Sequence, residues 1–409
     1  MNYLVDETPE FLEKFFGKFD DLFNRPNQKE QFRQYSTGLL SEIKRKNIQA
    51  ICEHTIDSRY QAMHHFVHDS PWDEKELNHR RVKILADNRQ TKSREDGYLM
   101  IDDTGNPKSG TATFATQRQY IGSIGKVDTG QVVVTSHYGD SSKDWPVDLE
   151  PYLPQKWVEE QNQIWHRENQ SKSNQPQEES GLLEFHPKWE LALGLVDKAR
   201  EAKRRGELEF SHVLVDGWYG NSPRFIEALE QRQEFYITTL YQNRRVYYRL
   251  PGEPARNEHY LKDVVTALVG ESQSFLRVEF ERASGEIREV FVRELEEVKI
   301  KNLGKRRVLI CKPTAEETEL EQMDVFMTND KEISQRKLLR AWSFRDRIDK
   351  FYECAKDNLG FDQYQVRSDR AIRRHWYLVF LMYSYLIYHR QKGSFVHWSK
   401  KNYVQQDKC

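Results

Sequence analysis

The sequence predicts an α/β protein: a mixed sheet flanked by helices, with a helical N-terminal domain before it and a β-rich insertion within it. Three observations predict this. Phe11, Phe15, Phe16, Phe19 and Phe23 recur at helical spacing, and Leu39, Leu40, Ile43, Ile48 and Ile51 continue the pattern. Two short apolar runs, Tyr98-Leu-Met-Ile101 and His212-Val-Leu-Val215, each stop at an aspartate followed by a turn, as buried strands do. Between residues 241 and 325 apolar residues alternate: Val246, Tyr248 and Leu250, then Leu276, Val278 and Phe280, then Val290 and Val292. Helical spacing returns at 333.

The length, 409 residues, suits two or three domains. The pattern divides the chain into a helical N-terminal part (1–95), a first core part (96–240), a β-rich insertion (241–325), C-terminal core helices (326–390) and a basic tail (391–409). Within the core, strands are expected at 119–124 and 131–136, forming an antiparallel meander with the run that ends at Ile101. Residues 167–180 are polar and low in complexity, which predicts an exposed loop. Helices follow at 188–205 and 222–232, then a strand at 235–240. Return strands are expected near 308–311 and 325–328.

Composition sets limits without naming a partner. The net charge is −1, so there is no bulk basic signal, and only the distribution of charge can bear on nucleic acid. Cys52, Cys311, Cys354 and Cys409 are scattered, with neither zinc-ligand spacing nor a short disulfide framework, which fits a reducing cytoplasm. The N-terminus lacks a basic region followed by an apolar run, so no secretory signal is expected. The most apolar stretch, Trp376 to Tyr388, is too short to span a bilayer and predicts a buried helix.

The acids at the strand ends carry the chemistry. A carboxylate at the end of a strand is held rigidly over a crevice. Two such ends side by side offer hard oxygen ligands to a divalent ion. Each strand-Asp-Gly alone is an ordinary turn. The doubled acid in Asp102-Asp103-Thr104-Gly105 is less ordinary, because adjacent like charges call for a counterion. A third acid lies in Trp342-Ser-Phe-Arg345-Asp-Arg-Ile-Asp349-Lys-Phe-Tyr-Glu353-Cys-Ala-Lys356. Steps of four, four and three put Arg345, Asp349, Glu353 and Lys356 on one helical face. Ile348, Phe351, Tyr352 and Ala355 form the opposite face, which would pack on the sheet.

These motifs resemble the DDE/D transposases of bacterial insertion sequences, in particular the insertion-sequence 701 type, within the larger group marked by Tyr-x2-Arg-x3-Glu-x6-Lys. The first match is Ile101-Asp102-Asp103-Thr104-Gly105-Asn-Pro-Lys108, with Arg118-Gln119-Tyr120 and Gly122-Ser-Ile-Gly125 behind it. The second is Val213-Leu-Val-Asp216-Gly-Trp-Tyr-Gly220, and the third is Trp342 to Lys356 with its continuation to Ser368. The resemblance spans about residues 10 to 390.

The resemblance implies an RNase H-like fold. It also implies cleavage of transposon ends and joining of the freed 3′-OH to target DNA by two-metal chemistry with Mg²⁺ or Mn²⁺. Asp103, directly before Thr104, takes the place of the first acid, with Asp102 as the alternative. Asp216 is the second. Asp349 fills the third place, where the family commonly has Glu, with Glu353 one turn later as the alternative. Arg345 and Lys356 match the signature's cations and are expected to grip DNA phosphates, and Trp342 stands where the family has Tyr. Lys108, and Arg367, Arg373 and Arg374 in a segment with eight cations and one acid between 367 and 401, are further expected DNA contacts. For Trp145, Trp157, Trp165 and Trp218 core packing is expected. Implied partners are double-stranded DNA and a second copy of the chain, in the bacterial cytoplasm at the nucleoid and without a membrane. Two other readings stay open: an RNase H-like nuclease without strand transfer, and a non-catalytic domesticated DNA-binding protein.

Overall fold

A computed structural model describes residues 10–389 except 56, 170–180 and 270–274. The N-terminal part is helical: α1 (Glu10–Phe16), α2 (Pro26–Leu40), α3 (Ile48–His54), α4 (Tyr60–His68) and α5 (Glu74–Ala86). Of the phenylalanines that predicted it, Phe11 is half-buried and the others are interior. Phe15, Phe16, Phe19, Phe23 and Phe32 are all nearly or fully buried, and Phe16, Phe19 and Phe23 each pack against the ring of Phe32.

The core then alternates. Strands β1 (Tyr98–Pro107), β2 (Gln117–Ile121), β3 (Lys126–Gly139) and β4 (Asp144–Tyr152) are followed by α6 (Gln155–Asn169) and α7 (Lys188–Arg204). Next come β5 (His212–Val215), the one-turn α8 (Gly217–Gly220), α9 (Pro223–Gln231) and β6 (Phe235–Thr239). The β-rich stretch holds β7 (Arg245–Tyr248), β8 (Asn257–Tyr260), α10 (Leu261–Val269), β9 (Leu276–Glu281), β10 (Ile287–Ile300), β11 (Gly304–Lys312) and β12 (Asp324–Thr328). Helices α11 (Gln335–Trp342), α12 (Asp346–Leu359) and α13 (Asp369–His389) close the described chain.

All twelve strands belong to one sheet. Its first half runs β4-β3-β1-β5-β6. The pairs β3–β4 and β1–β3 are antiparallel, while β1–β5 and β5–β6 are parallel. This is the RNase H-like arrangement that the resemblance implies. The expected meander is reordered. The long β3 lies in the middle, with β1 on one edge and β2 then β4 along the other. The β-rich stretch continues the same sheet, as β6-β12-β11-β10-β7-β8.

Helices cover both faces, as a sheet with parallel strands at its centre requires. On one face Met100, Leu214, Ile237 and Phe326 pack with α1 to α4 and α11 to α13. On the other, Leu99, Ile101, Val213 and Val215 pack with α7, α9 and α10. Alternation along β1 and β5 sorts these residues, and it also sorts the acids that follow them. The stretch Trp376 to Tyr388 lies in the buried helix α13. Among the described residues no helix is long and apolar enough to cross a membrane.

Candidate active site

Strand β1 carries two consecutive acids, so their side chains point to opposite faces of the sheet. Met100 faces α12 and α13, and two residues on so does Asp102. Its Oδ2 accepts from Nη2 of Arg345 at 2.5 Å. Ile101 faces α7, and two residues on so does Asp103. Its Oδ2 accepts from Nζ of Lys188, the first residue of α7, at 2.8 Å, and its Oδ1 from the Tyr219 hydroxyl at 3.2 Å.

The register of β1 on β5 ends at Ile101 opposite Val215. One step further, Asp102 stands beside Asp216. Leu214 shares its face with Met100, so alternation brings Asp216 to the side of Asp102. Asp216 caps α8, and its Oδ1 accepts from the backbone N–H groups of Trp218 at 3.0 Å and Tyr219 at 3.2 Å. The turn is fixed from behind by Thr238, whose hydroxyl donates to the Asp216 carbonyl at 3.0 Å.

Asp349 arrives on α12. Its Oδ2 accepts from Nη1 of Arg345 at 2.5 Å, so one guanidinium joins Asp102 to Asp349. The Asp349 side chain is 59% exposed. Glu353, one turn later, is exposed too. The charges acting most on Asp102 are those of Arg345, Asp103, Asp216 and Asp349.

The electrostatics follow from this crowding. Burial, then the neighbouring acids, push the Asp102 carboxyl up to about 7 against the pull of Arg345. Burial, and the charge of Asp103 after it, raise Asp216, opposed by the N–H groups of Tyr219 and Trp218 and by Arg345. For Arg345, burial works against the charged form. Asp102, Asp349 and Asp216 more than offset it and hold the guanidinium above its ordinary value. Arg345 thus pairs with Asp102 and Asp349, and the charge of Asp216 also acts on it. Asp103, expected as the first acid, lies on the α7 side of β1 and is bound by Lys188 and Tyr219, while its charge still acts on Asp102 and Asp216.

An oxygen-only donor set of this kind suits Mg²⁺ or Mn²⁺. Among the described residues, however, no three His, Cys, Asp or Glu side chains are gathered closely enough to hold an ion. What the acids hold here is Arg345. The donors suit a divalent cation in chemistry, and the guanidinium bridges two of them, Asp102 and Asp349.

Several expected DNA contacts are occupied within the chain. Lys356 donates to the Thr104 hydroxyl at 2.7 Å and the Gly105 carbonyl at 2.8 Å, stitching α12 along β1. Lys108 donates to the Asp362 carbonyl at 2.7 Å and lies 3.5 Å from the centre of the Tyr364 ring; burial pushes its amine down to about 8. Arg373 is paired with Glu150 and Asp369, both at 2.8 Å. Arg374 is buried, donating to the carbonyls of Val67, Ser70 and Trp72. Lys108, Arg373 and Arg374 thus make structural contacts within the chain. Trp342 is half-buried against Phe326. Arg367 is exposed. Arg390, Lys392, Trp398, Lys400 and Lys401 lie outside the described residues.

Some residues at the site were not singled out from sequence. Trp218, expected in the core, is 48% exposed, and Tyr241 is 46% exposed beside Gly217. Tyr352 is buried over the acids and shares a 2.6 Å hydrogen bond with Thr135, the β3 neighbour of Asp102. Position directly after Asp216 pointed to Trp218 and Tyr219. Nothing local marked Lys188 or Thr135.

Comparison with known proteins shows the family. The family described as DDE superfamily endonuclease matches residues 18–261. That described as transposase DDE domain matches residues 191–385. A probable transposase for insertion sequence element IS701 from Microchaete diplosiphon is 26% identical over 280 residues. The match covers 64% of this chain and 66% of that protein, just short of two thirds of the relative's length. Among solved structures, the NurA nuclease from Sulfolobus solfataricus aligns over 67% of this chain and 82% of its own, at 9% identity and a TM-score of 0.23, too low to carry an argument.

Proposed function

Because this chain belongs to the DDE superfamily of endonucleases, we propose that it is a DNA transposase that cuts transposon ends and joins the freed 3′-OH to target DNA. One observation carries the reading: Asp102 and Asp216 directly follow the paired residues Ile101 of β1 and Val215 of β5, and Arg345 links Asp102 to Asp349 of α12. These three carboxylates would hold the Mg²⁺ or Mn²⁺. When bound, the metal supplies the Lewis acidity that activates an attacking oxygen and stabilises a leaving oxygen at phosphorus.

The chain's own groups do the rest. The N–H groups of Trp218 and Tyr219 fix the Asp216 carboxylate. Lys188 and Tyr219 fix Asp103 on the far face, from which it supports the strand end rather than ligating. Trp218 and Tyr241 present open ring faces on which an unpaired base stacks. The proposed partner is double-stranded DNA, held by a homodimer with one end per protomer.

The test is a plasmid assay with Mn²⁺. Cleavage is expected from the unsubstituted chain and is reduced to background in D102N and D216N. Pre-cut transposon ends added with a target plasmid are expected to give insertion products. Cleavage without insertion identifies a nuclease instead. Tight DNA binding with no cleavage identifies a non-catalytic DNA-binding protein.

A further inference from the structure

The turn between β9 and β10 closes with a bond from the Gly285 N–H to the Arg282 carbonyl at 2.9 Å, and Gly285 takes the positive φ, +85°, that this turn needs. That bond uses neither backbone group of Ala283, the second residue of the turn. Both reach the corner between α11 and α12, 60 and 64 residues further on. The Ala283 N–H donates to the Ser343 hydroxyl oxygen at 2.8 Å, and the Ala283 carbonyl accepts from Nη2 of Arg347 at 3.2 Å. The Ser343 hydroxyl gives its own proton to the Arg340 carbonyl at 2.6 Å, so its lone pairs are what face Ala283. Arg347 continues through Nη1 to Asp144 at the start of β4, at 3.3 Å. Ser343 and Arg347 flank Arg345 by two residues on either side. At this corner the N–H groups of Phe344, Arg345, Arg347 and Ile348 each donate three residues back instead of four, the tighter bonding that marks a hinge. Such a corner depends on outside contacts for its angle. The ion pairs Arg282–Asp346 and Arg340–Glu281 lie along the same seam but are open to solvent, where pairs contribute little.

Resting on the reading of α12 as the helix that brings Asp349 to Asp102, we infer that Ala283 clamps the α11–α12 corner through Ser343 and Arg347, so that the β-rich stretch sets where Arg345 and Asp349 stand over the sheet. Ser343 and Arg347 are positioning residues. Losing either contact frees the hinge on one side of Arg345 and lets α12 shift along β1. Asp349, one methylene shorter than Glu, has little reach with which to follow Asp102.

The experiment compares S343A, S343T, R347M and R282A with the unsubstituted full-length chain. Hydrogen–deuterium exchange reads the clamp itself, and the Mn²⁺ concentration for half-maximal plasmid cleavage reads its consequence. In S343A and R347M the amides from Arg345 to Asp349 are expected to exchange about 2- to 10-fold faster. The Mn²⁺ midpoint is expected to rise about 10- to 100-fold. A general loss of stability lowers the cleavage rate without moving that midpoint. S343T keeps the accepting oxygen and should return both readings toward those of the unsubstituted chain. R282A breaks only an exposed pair and should leave both in place. If S343A fails to fold, R347M carries the test. Unchanged exchange, or faster exchange with an unchanged Mn²⁺ midpoint, overturns the inference, as does R282A behaving like S343A. In each of these cases the transposase reading stands as long as D102N abolishes cleavage. If the unsubstituted chain does not cleave, that reading fails and the positioning role fails with it.

Discussion

Two adjacent aspartates on one strand cannot do the same work. Asp102 faces α12 and shares a guanidinium with Asp349, whereas Asp103 faces α7 and is held by Lys188 and Tyr219. Sequence narrowed the first acid to this pair. It could not choose between them, because the choice depends on which face of the sheet α12 covers, and that is set by a packing partner more than 240 residues away. Motif order favoured Asp103; alternation from Met100 and Ile101 favours Asp102. The two substitutions should separate cleanly. D102N removes a proposed metal ligand, so Mn²⁺-dependent cleavage is expected to fall to background. D103N loosens a supporting contact and should lower activity by about 10- to 100-fold, the usual range for residues that orient ligands. K188M should resemble D103N in steady-state plasmid cleavage. Equal loss in D102N and D103N would refute the facial assignment.

At the scale of the element, the turn after β5 is the most constrained part of the site. Gly220 has no room for a side chain: a Cβ there would come 1.9 Å from the Thr238 hydroxyl oxygen. That hydroxyl is the group that holds the Asp216 carbonyl. Gly220→Ala must therefore push Thr238 aside, with a destabilisation of about 1–3 kcal/mol typical of overpacking. Asp216 should be displaced with it. Thr238→Ala in the same chain removes the two nearest atoms but leaves the Thr238 Cβ 2.7 Å away, so it should restore only part of the stability, measured by urea unfolding, without fully restoring cleavage. No recovery of stability in the double variant would show that the clash lies elsewhere. The acid and glycine of this turn were legible because strand and turn are adjacent in sequence. β4 was not: Pro146 and Pro151 mask it, although its residues Trp145, Val147 and Leu149 alternate and are buried. Its pairing with β3 alone leaves a free edge on which proline is tolerated. α10 was missed for a related reason, since its apolar residues lie among strands of the same composition.

Across the whole molecule, charge counted along the chain does not show which cations are engaged within the fold. The segment from Arg367 was expected to meet DNA, yet Arg373 and Arg374 tie α13 to β4 and to the end of α4. Between Arg374 and Trp376 lies His375, fully buried, joining the N-terminal helices to the core. The Gly360 carbonyl can only accept, so Nε2 of His375 carries the proton and donates to it at 2.9 Å. Nδ1 then accepts from the Tyr35 hydroxyl of α2 at 2.7 Å. Both ring nitrogens are thus used by the neutral form. Burial holds this imidazole down at about 3, from an ordinary value of 6.5. The folded chain consequently refuses a proton that the unfolded chain accepts between those values. The stability that His375 contributes is complete above about pH 6.5 and is lost as pH falls toward 3, at up to about 1.4 kcal/mol per pH unit. His375→Gln supplies a donor and an acceptor but does not titrate. Its melting temperature should lie below that of the unsubstituted chain near neutral pH, and the gap should narrow steadily as the pH is lowered from 6.5. The comparison between the two chains cancels opposing titrations elsewhere, such as that of Asp102, whose raised carboxyl favours the fold as pH falls. A gap that stays constant across the window would mean that the His375 link is as strong protonated as neutral, which the fixed Gly360 and Tyr35 contacts do not allow.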